Sequence, residues 1–427
     1  MHPRTLPLIA LLAISLSTSL AAARPDASYD AATDRLRGLG KKDLERIDPL
    51  LSRGPVALVE FADMEGDQLP AINVASLVNA NADQVLSVLR DPARYPRFIR
   101  TLDAVEVVAR HGASTVYDWR WQLGMMTLDG RNNMRIYPAP ASRPSRGHRV
   151  TIDSQHGDLG RGRMSLRVLP RGPARSLLVV SMRLDLREAN YIARQVAKAA
   201  RSVNRAANMS LAYSMLLSFR REAERRAGHV HAAGEAPPLG KPPVNHARIL
   251  PLLVRGDLVV LDMRGDHLDQ VAVYGLISRK RSLVREVMLD ADAFGSSLMP
   301  GSAARIVEKR GPLTTFDWDI DLPLVGVSGR MQMRDEDPVV AIEATDGALQ
   351  GGRWHFETAA VRKGVTMIAG WARFDLRNSN WLLRSLLGAD PYLGHGMTAA
   401  SEVMLVRALR SRTRKLQKAR ADAAAAH

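Results

Sequence analysis

Two pairs of opposite charge recur at the same spacing in the chain: Asp153 with Arg163, and Glu343 with Arg353. Asp153 and Arg163 flank the turn 156–162. They should therefore lie across from each other on adjacent strands, as should the second pair. Inside a cavity such a pair could anchor a ligand hydroxyl or carboxylate. On the surface it is a cross-strand ion pair worth little. The parity of Asp153 and Arg163 is opposite to that of the apolar Ile152 and Met164, which favours the surface. Arg183 and Arg373, repeated with Asp185 and Asp375, mark either a portal before the final helix or a structural pair.

Apolar faces run beside these charges. Tyr117, Trp119, Trp121 and Leu123 alternate with Asp118, Arg120 and Gln122, and Phe316, Trp318, Ile320 and Leu322 alternate with Asp317, Asp319 and Asp321. In a strand that puts the aromatics on one face. Met164, Leu166 and Val168, like Trp354 and Phe356, continue the apolar surface, and Met215 and Met404 stand on helical stretches. Wide aromatics opposite methionines suit a deformable pocket for an apolar ligand. Tyr117, Trp119, Trp121, Met164, Met215, Phe316, Trp318, Trp354, Phe356 and Met404 are the candidate cavity residues, with an ordinary core position as the alternative for any one of them.

Catalytic signatures are missing. There is no Gly-x-Ser-x-Gly, no Walker loop and no His-Glu-x-x-His. His229 and His231 fall in a Pro/Gly-rich stretch, a weak metal signal. His156 matches Asp346 and His355 matches Ser165, so neither His is repeated. No catalytic set, metal site or cofactor is expected. With no cysteine, disulfides, thiolate zinc sites, iron–sulfur clusters, a Cys nucleophile and a lipobox anchor are excluded.

The elements that position these residues occur twice. Leu50-Leu51-Ser52-Arg53-Gly54 returns as Leu252-Leu253-Val254-Arg255-Gly256, and Tyr117-Asp118-Trp119 returns as Phe316-Asp317-Trp318. Gly130-Arg131 and Met134-Arg135 return as Gly329-Arg330 and Met333-Arg334, and Leu184-Asp185-Leu186-Arg187 returns as Phe374-Asp375-Leu376-Arg377. Matches in one order with an offset falling from 202 to 190 make an internal repeat with shorter loops in the second copy. Within the first copy the pattern predicts a strand over 71–80 and a helix over 83–90 capped by Asn81. Strands near 105–109, 115–123, 131–137, 148–154, 162–169 and 176–187 follow, and then a helix over 208–226. The second copy ends in a helix over 398–420.

This order resembles the helix-grip fold of the START/SRPBCC superfamily, which includes lipid-transfer domains, coenzyme-Q-binding proteins and polyketide cyclase/aromatases. The resemblance rests on Val74-Ala75-Ser76-Leu77-Val78-Asn79-Ala80, on 82–89, and on Asp91-Pro92-Ala93-Arg94-Tyr95-Pro96. The second copy lacks the Tyr-Pro, reading Asp290-Ala291-Asp292-Ala293-Phe294. It implies an α+β chain of two tandem helix-grip (START-like) domains, each a curved antiparallel β-sheet wrapped around a long C-terminal helix. It also implies an apolar ligand between sheet and helix. The segment before each long helix is a candidate gate: 190–205 in the first copy, and Trp381, Leu382 and Tyr392 in the second.

Residues 1–23 read as a secretory signal, with an apolar run over 6–20 and Ala21-Ala22-Ala23 for cleavage. The expected organisation is a helical lead-in over 24–48, domains over 49–226 and 248–418, a Pro/Gly-rich linker over 227–247, and a disordered Ala-rich tail over 419–427. Sixty Lys and Arg against 44 Asp and Glu give a formal charge of +16. Export argues against nucleic acid. The runs Arg220–Arg226 and Arg407–Lys415 suit helix C-termini or transient contact with an anionic membrane surface. The expectation is a soluble periplasmic protein that binds a lipid, isoprenoid or polyketide-like molecule, with transport of it as a secondary role. A cyclase/aromatase-type enzyme and a non-catalytic envelope scaffold are the alternatives.

Overall fold

A computed structural model describes residues 36–425, apart from 37, 62–70, 124–125, 186–188, 190–200, 230–234, 236, 297–301, 323–324 and 380. The expected signal segment and the first-copy gate over 190–200 lie outside the described residues. Leu36–His427 forms one unit.

The first copy runs α1 (Lys41–Ile47), β1 (Val56–Glu60), β2 (Ile72–Val78), α2 (Ala82–Leu89), a 3-10 segment (Pro92–Arg97), β3 (Leu102–His111), β4 (Ser114–Leu123), β5 (Met126–Tyr137), β6 (His148–Gly157), β7 (Arg161–Pro170), β8 (Ser176–Asp185) and the long helix α3 (Arg201–Arg226). The second runs α4 (His246–Leu253), β9 (Gly256–Arg264), β10 (His267–Ile277), α5 (Arg281–Leu289), α6 (Ala291–Gly295), β11 (Ser302–Arg310), β12 (Leu313–Leu322), β13 (Val325–Glu336), β14 (Val339–Gly347), β15 (Arg353–Arg362), β16 (Val365–Arg373), α7 (Trp381–Ala389) and the long helix α8 (Pro391–Ala425).

Each copy is a helix-grip unit: an antiparallel sheet holding its long C-terminal helix, α3 against β2 and β8, α8 against β9, β10 and β16. The two sheets are one. Sixteen strands follow the order β11-β12-β13-β14-β15-β16-β10-β9-β1-β2-β8-β7-β6-β5-β4-β3. The copies join where β1 pairs antiparallel with β9, Leu58 opposite Leu258. The sequence reading has no strand at β1 or β9. All five residues of β1 are buried, so both faces are apolar and the alternation that reveals a half-exposed strand is absent.

The central strands are covered on both faces. On one lie α3 and α8, packed on Ala57, Val59, Val74, Val180, Val259 and Val273. On the other lie α1 and α4, whose Leu44, Ile47, Ile249 and Leu253 pack on Val56, Leu58, Leu258 and Val260. The long helices touch at Gly396, where a Cβ would stand 2.3 Å from the Cα of Ser210.

Asn81 caps α2 as its sequence predicts, its side chain accepting from the Gln84 amide at 2.8 Å while Gln84 accepts from the Asn81 amide at 2.9 Å. Three stretches differ from the sequence reading. Helix α3 begins at Arg201 rather than 208. Helix α8 continues to Ala425, where a disordered tail is expected from 419, because a run of Ala favours helix over coil. In the stretch read as a linker, α4 already begins at His246 and the residues before it are strapped to the second copy. Gln270 bonds both the amide and the carbonyl of Gly240, Arg373 donates to the Pro237 carbonyl, and Lys241 pairs with Glu357 at 2.7 Å.

Candidate functional site

Between sheet and long helix each copy leaves a cavity, and the ten candidate cavity residues fall into these two linings. The first cavity, of about 80 Å³, is lined by Tyr117, Trp119, Trp121, Met164 and Met215, with Tyr95, Leu102, Asn132, Ile152, Ser154, Met182, Leu184 and Leu211 among others. The second, of about 350 Å³, is lined by Phe316, Trp318, Trp354, Phe356 and Met404, with Ile320, Val327, Met331, Met333, Ile342, Leu349, Phe374, Met397 and Leu405 among others.

The aromatic strands sit where they do because glycine faces them. Trp119 lies opposite Gly130 and Trp318 opposite Gly329. A Cβ on Gly130 would stand 2.5 Å from the Trp119 ring, and one on Gly329 would stand 3.1 Å from Trp318 Nε1. The repeated Gly-Arg pairs are thus the seats of the repeated tryptophans. The arginine of each pair bonds the aspartate beside the tryptophan, Arg131 to Asp118 at 2.6 Å and Arg330 to Asp317 at 2.7 Å.

The first cavity is largely filled from within. Tyr95 is fully buried and edge-on to Tyr117, Phe98 and Phe219, with ring centroids 6.5, 5.9 and 5.1 Å away. Its hydroxyl donates to the Leu89 carbonyl at 2.5 Å. What remains has polar character. Asn132 Nδ2 donates to the Tyr117 hydroxyl at 3.2 Å, and Ser154 Oγ donates to the Gly160 carbonyl. Burial pushes the Tyr117 hydroxyl up to about 12, against the opposing bond from Asn132.

The second cavity is apolar. Its two hydroxyls are used locally: Ser401 donates to the Thr398 carbonyl at 2.8 Å, and Ser379 to the Leu376 carbonyl. Trp354 stacks on Phe374 with centroids 5.0 Å apart. Its indole N–H donates to Glu402 Oε1 at 2.9 Å. Glu402 is wholly buried on α8, and desolvation raises its carboxyl to about 8 despite that bond. The carboxyl is therefore protonated at neutral pH. Glu402 is not among the lining residues; it holds Trp354 from behind. The sequence reading passed over it, although an acid inside the apolar run 399–406 was a visible signal.

The candidate polar anchors divide. Asp153 and Arg163 pair across β6 and β7 at 2.6 Å, and Arg163 reaches the rim of the first lining. Arg183 stands opposite Arg163 on β8. Glu343 and Arg353 form an exposed pair at 3.1 Å, both side chains more than half exposed. Arg373 is spent on backbone, donating to the Asp269 and Pro237 carbonyls, both at 2.6 Å. Neither Glu343, Arg353 nor Arg373 lines the second cavity.

Of the gate candidates, Trp381 and Leu382 lie on α7. Tyr392 is a brace between the copies, away from either lining. Its hydroxyl donates to Asp266 at 3.1 Å and accepts from Arg221 of α3 at 3.2 Å. Burial pushes this hydroxyl up to about 12. Among the described residues no cluster of His, Asp and Glu could hold a metal ion, and no helix is long and apolar enough to cross a membrane.

No protein-family model and no curated protein matches the sequence. Solved structures do. The di-domain aromatase/cyclase StfQ from the steffimycin biosynthetic pathway is 12% identical over 81% of this chain and 99% of its own, with a TM-score of 0.27. A STAR-related lipid transfer protein from Xanthomonas axonopodis is 14% identical over 40% of this chain and 94% of its own, TM-score 0.31. The aromatase/cyclase Zhui from a Streptomyces species is 19% identical over 38% of this chain and 98% of its own, TM-score 0.30. At such values these likenesses carry no argument about activity. The chain's own strand order and paired long helices make it a tandem of two helix-grip units.

Proposed function

We propose that the protein binds and carries an apolar small molecule, of the lipid, isoprenoid or polyketide class, between the sheet and long helix of a helix-grip unit. The cavity of about 350 Å³ carries this reading. Cavities that take drug-sized molecules run from about 300 Å³ upward, lined mostly by apolar and aromatic side chains. An enzyme would need an acid, base or nucleophile at the cavity wall. The second lining offers two serine hydroxyls, both bonded to backbone.

The signal-like residues 1–23 support carriage in the periplasm. The exposed Arg414, Lys415 and Lys418 on the last turns of α8 support transient contact with anionic lipid while cargo is exchanged.

Native mass spectrometry of protein purified from its own source, followed by organic extraction, tests this. The expected result is a discrete non-covalent adduct whose mass reappears in the extract. Adding the extract to stripped protein should raise the melting temperature, since a ligand at 100 times its Kd stabilises the folded state by about 2.7 kcal/mol. A bare mass together with an unmoved melting temperature would overturn the reading.

A further inference from the structure

The two copies can be matched position by position through their pairing. Ile72 faces Met182 as Val271 faces Ala372, and Tyr117 faces Asn132 as Phe316 faces Met331. The match extends into the long helices. Arg220 reaches Ser76, and Arg410 reaches the carbonyl of Leu276 beside the matching strand position. Leu211 therefore matches Ser401.

At matched positions the copies differ in bulk. Trp121, Met182 and Leu211 of the first become Ile320, Ala372 and Ser401 of the second. They also differ in polarity. Tyr117, Asn132 and Ser154, which surround the first cavity with hydrogen-bonding groups, become Phe316, Met331 and Ala344. Met164 and Leu184 change the other way, to Trp354 and Phe374, yet the net result is the larger space, about 350 against about 80 Å³. The smaller volume is enough for a few waters at most. The apolar replacements leave the larger space without a counter-charge; its unpartnered donor is the neutral indole N–H of Trp318. A charge buried there would lose its hydration with no counter-charge to replace it.

We infer that the chain takes one ligand, in the second copy alone, and that the part of the ligand it encloses is an uncharged hydrocarbon or polyaromatic body. The first copy is closed by its own side chains and serves as the structural partner of the second. This rests on the reading of the cavity as a ligand site.

The test uses the full chain and two dyes that share a skeleton: N-phenyl-1-naphthylamine, which is uncharged, and 8-anilinonaphthalene-1-sulfonate, which carries a fixed negative charge. The uncharged dye should bind once per chain by fluorescence titration and by native mass spectrometry, and the sulfonate at least tenfold more weakly. Ser401→Leu, which restores the first copy's bulk, should weaken the uncharged dye at least tenfold while circular dichroism stays native. The wild-type stoichiometry stands as evidence even if that variant does not fold. Two dyes per chain, or full affinity in a folded Ser401→Leu, would overturn the single site. Equal affinity for both dyes would overturn the ligand class. No binding of either dye to the wild type would overturn the proposed function itself.

Discussion

Glu402 is a wholly buried acid of the second copy, and its environment sets a pH dependence. Its carboxyl titrates at about 8 in the folded chain against 4.5 when solvated. Below about 4.5 it is protonated in both states and costs nothing. Between 4.5 and 8 the unfolded chain releases the proton and the folded chain keeps it, so stability falls as pH rises, by up to about 1.4 kcal/mol per pH unit. Above 8 the penalty is constant. Glu402→Gln keeps an acceptor for the Trp354 indole and has no proton to lose. Its melting temperature relative to wild type should climb between pH 5 and pH 8 and level off beyond. A difference that stays flat across that range would mean that the carboxyl is already ionised when folded. The same residue orients Trp354, so Glu402→Leu should also loosen a wall of the cavity.

At the scale of elements, the long helices meet in a close backbone contact. Gly396 meets the backbone of Ser210, and a Cβ there would fall 2.3 Å from its Cα. Gly396→Val must push α8 away from α3 and should cost about 2 kcal/mol by overpacking. Gly388 on α7 has open space around its missing Cβ, so Gly388→Ala should leave stability unchanged or raise it by up to about 1 kcal/mol. Urea melts of the two variants separate contact from helix propensity; equal effects would remove the contact argument. Most elements were legible from sequence because they are half-exposed. Strands β4 and β12 alternate cleanly, and Asn81 with Gln84 is a local capping signal. The tryptophan faces were legible for the same reason, and they line the cavities. Strands β1 and β9 were hidden because burial on both faces removes alternation. Glu402 stands out as an acid in an apolar run, but its role is not legible, because helical periodicity says nothing of its partner on β15.

Across the whole molecule the repeat becomes a clasp. Arg53 forms a two-pronged bond to Asp262 of the second copy at 2.5 and 2.6 Å. The matching Arg255 returns it, bonding Glu60 and Asp43 of the first copy, both at 2.6 Å. The repeated Leu-Leu-x-Arg-Gly stretch thus supplies one arginine in each direction across the β1/β9 seam. Sequence showed the repeat but not this use, because which copy an arginine reaches is decided by pairing about 200 residues away in the chain. The seam strands lie in the middle of one sheet, and the outer layer over them combines α1 of one copy with α4 of the other. Neither copy encloses its own core there, so the two should unfold together. Arg255→Ala takes a shared cation from two largely buried carboxylates, Glu60 and Asp43, the latter still 3.5 Å from Arg46, and should cost about 3 kcal/mol. Because the seam is shared, that cost should appear in both copies. Native-state hydrogen exchange should speed up in β2 and β8 of the first copy as well as in β10 and β16 of the second, under a single melting transition. Faster exchange confined to one copy, or two separate transitions, would mean that the units are stable apart and that the clasp only holds them in register.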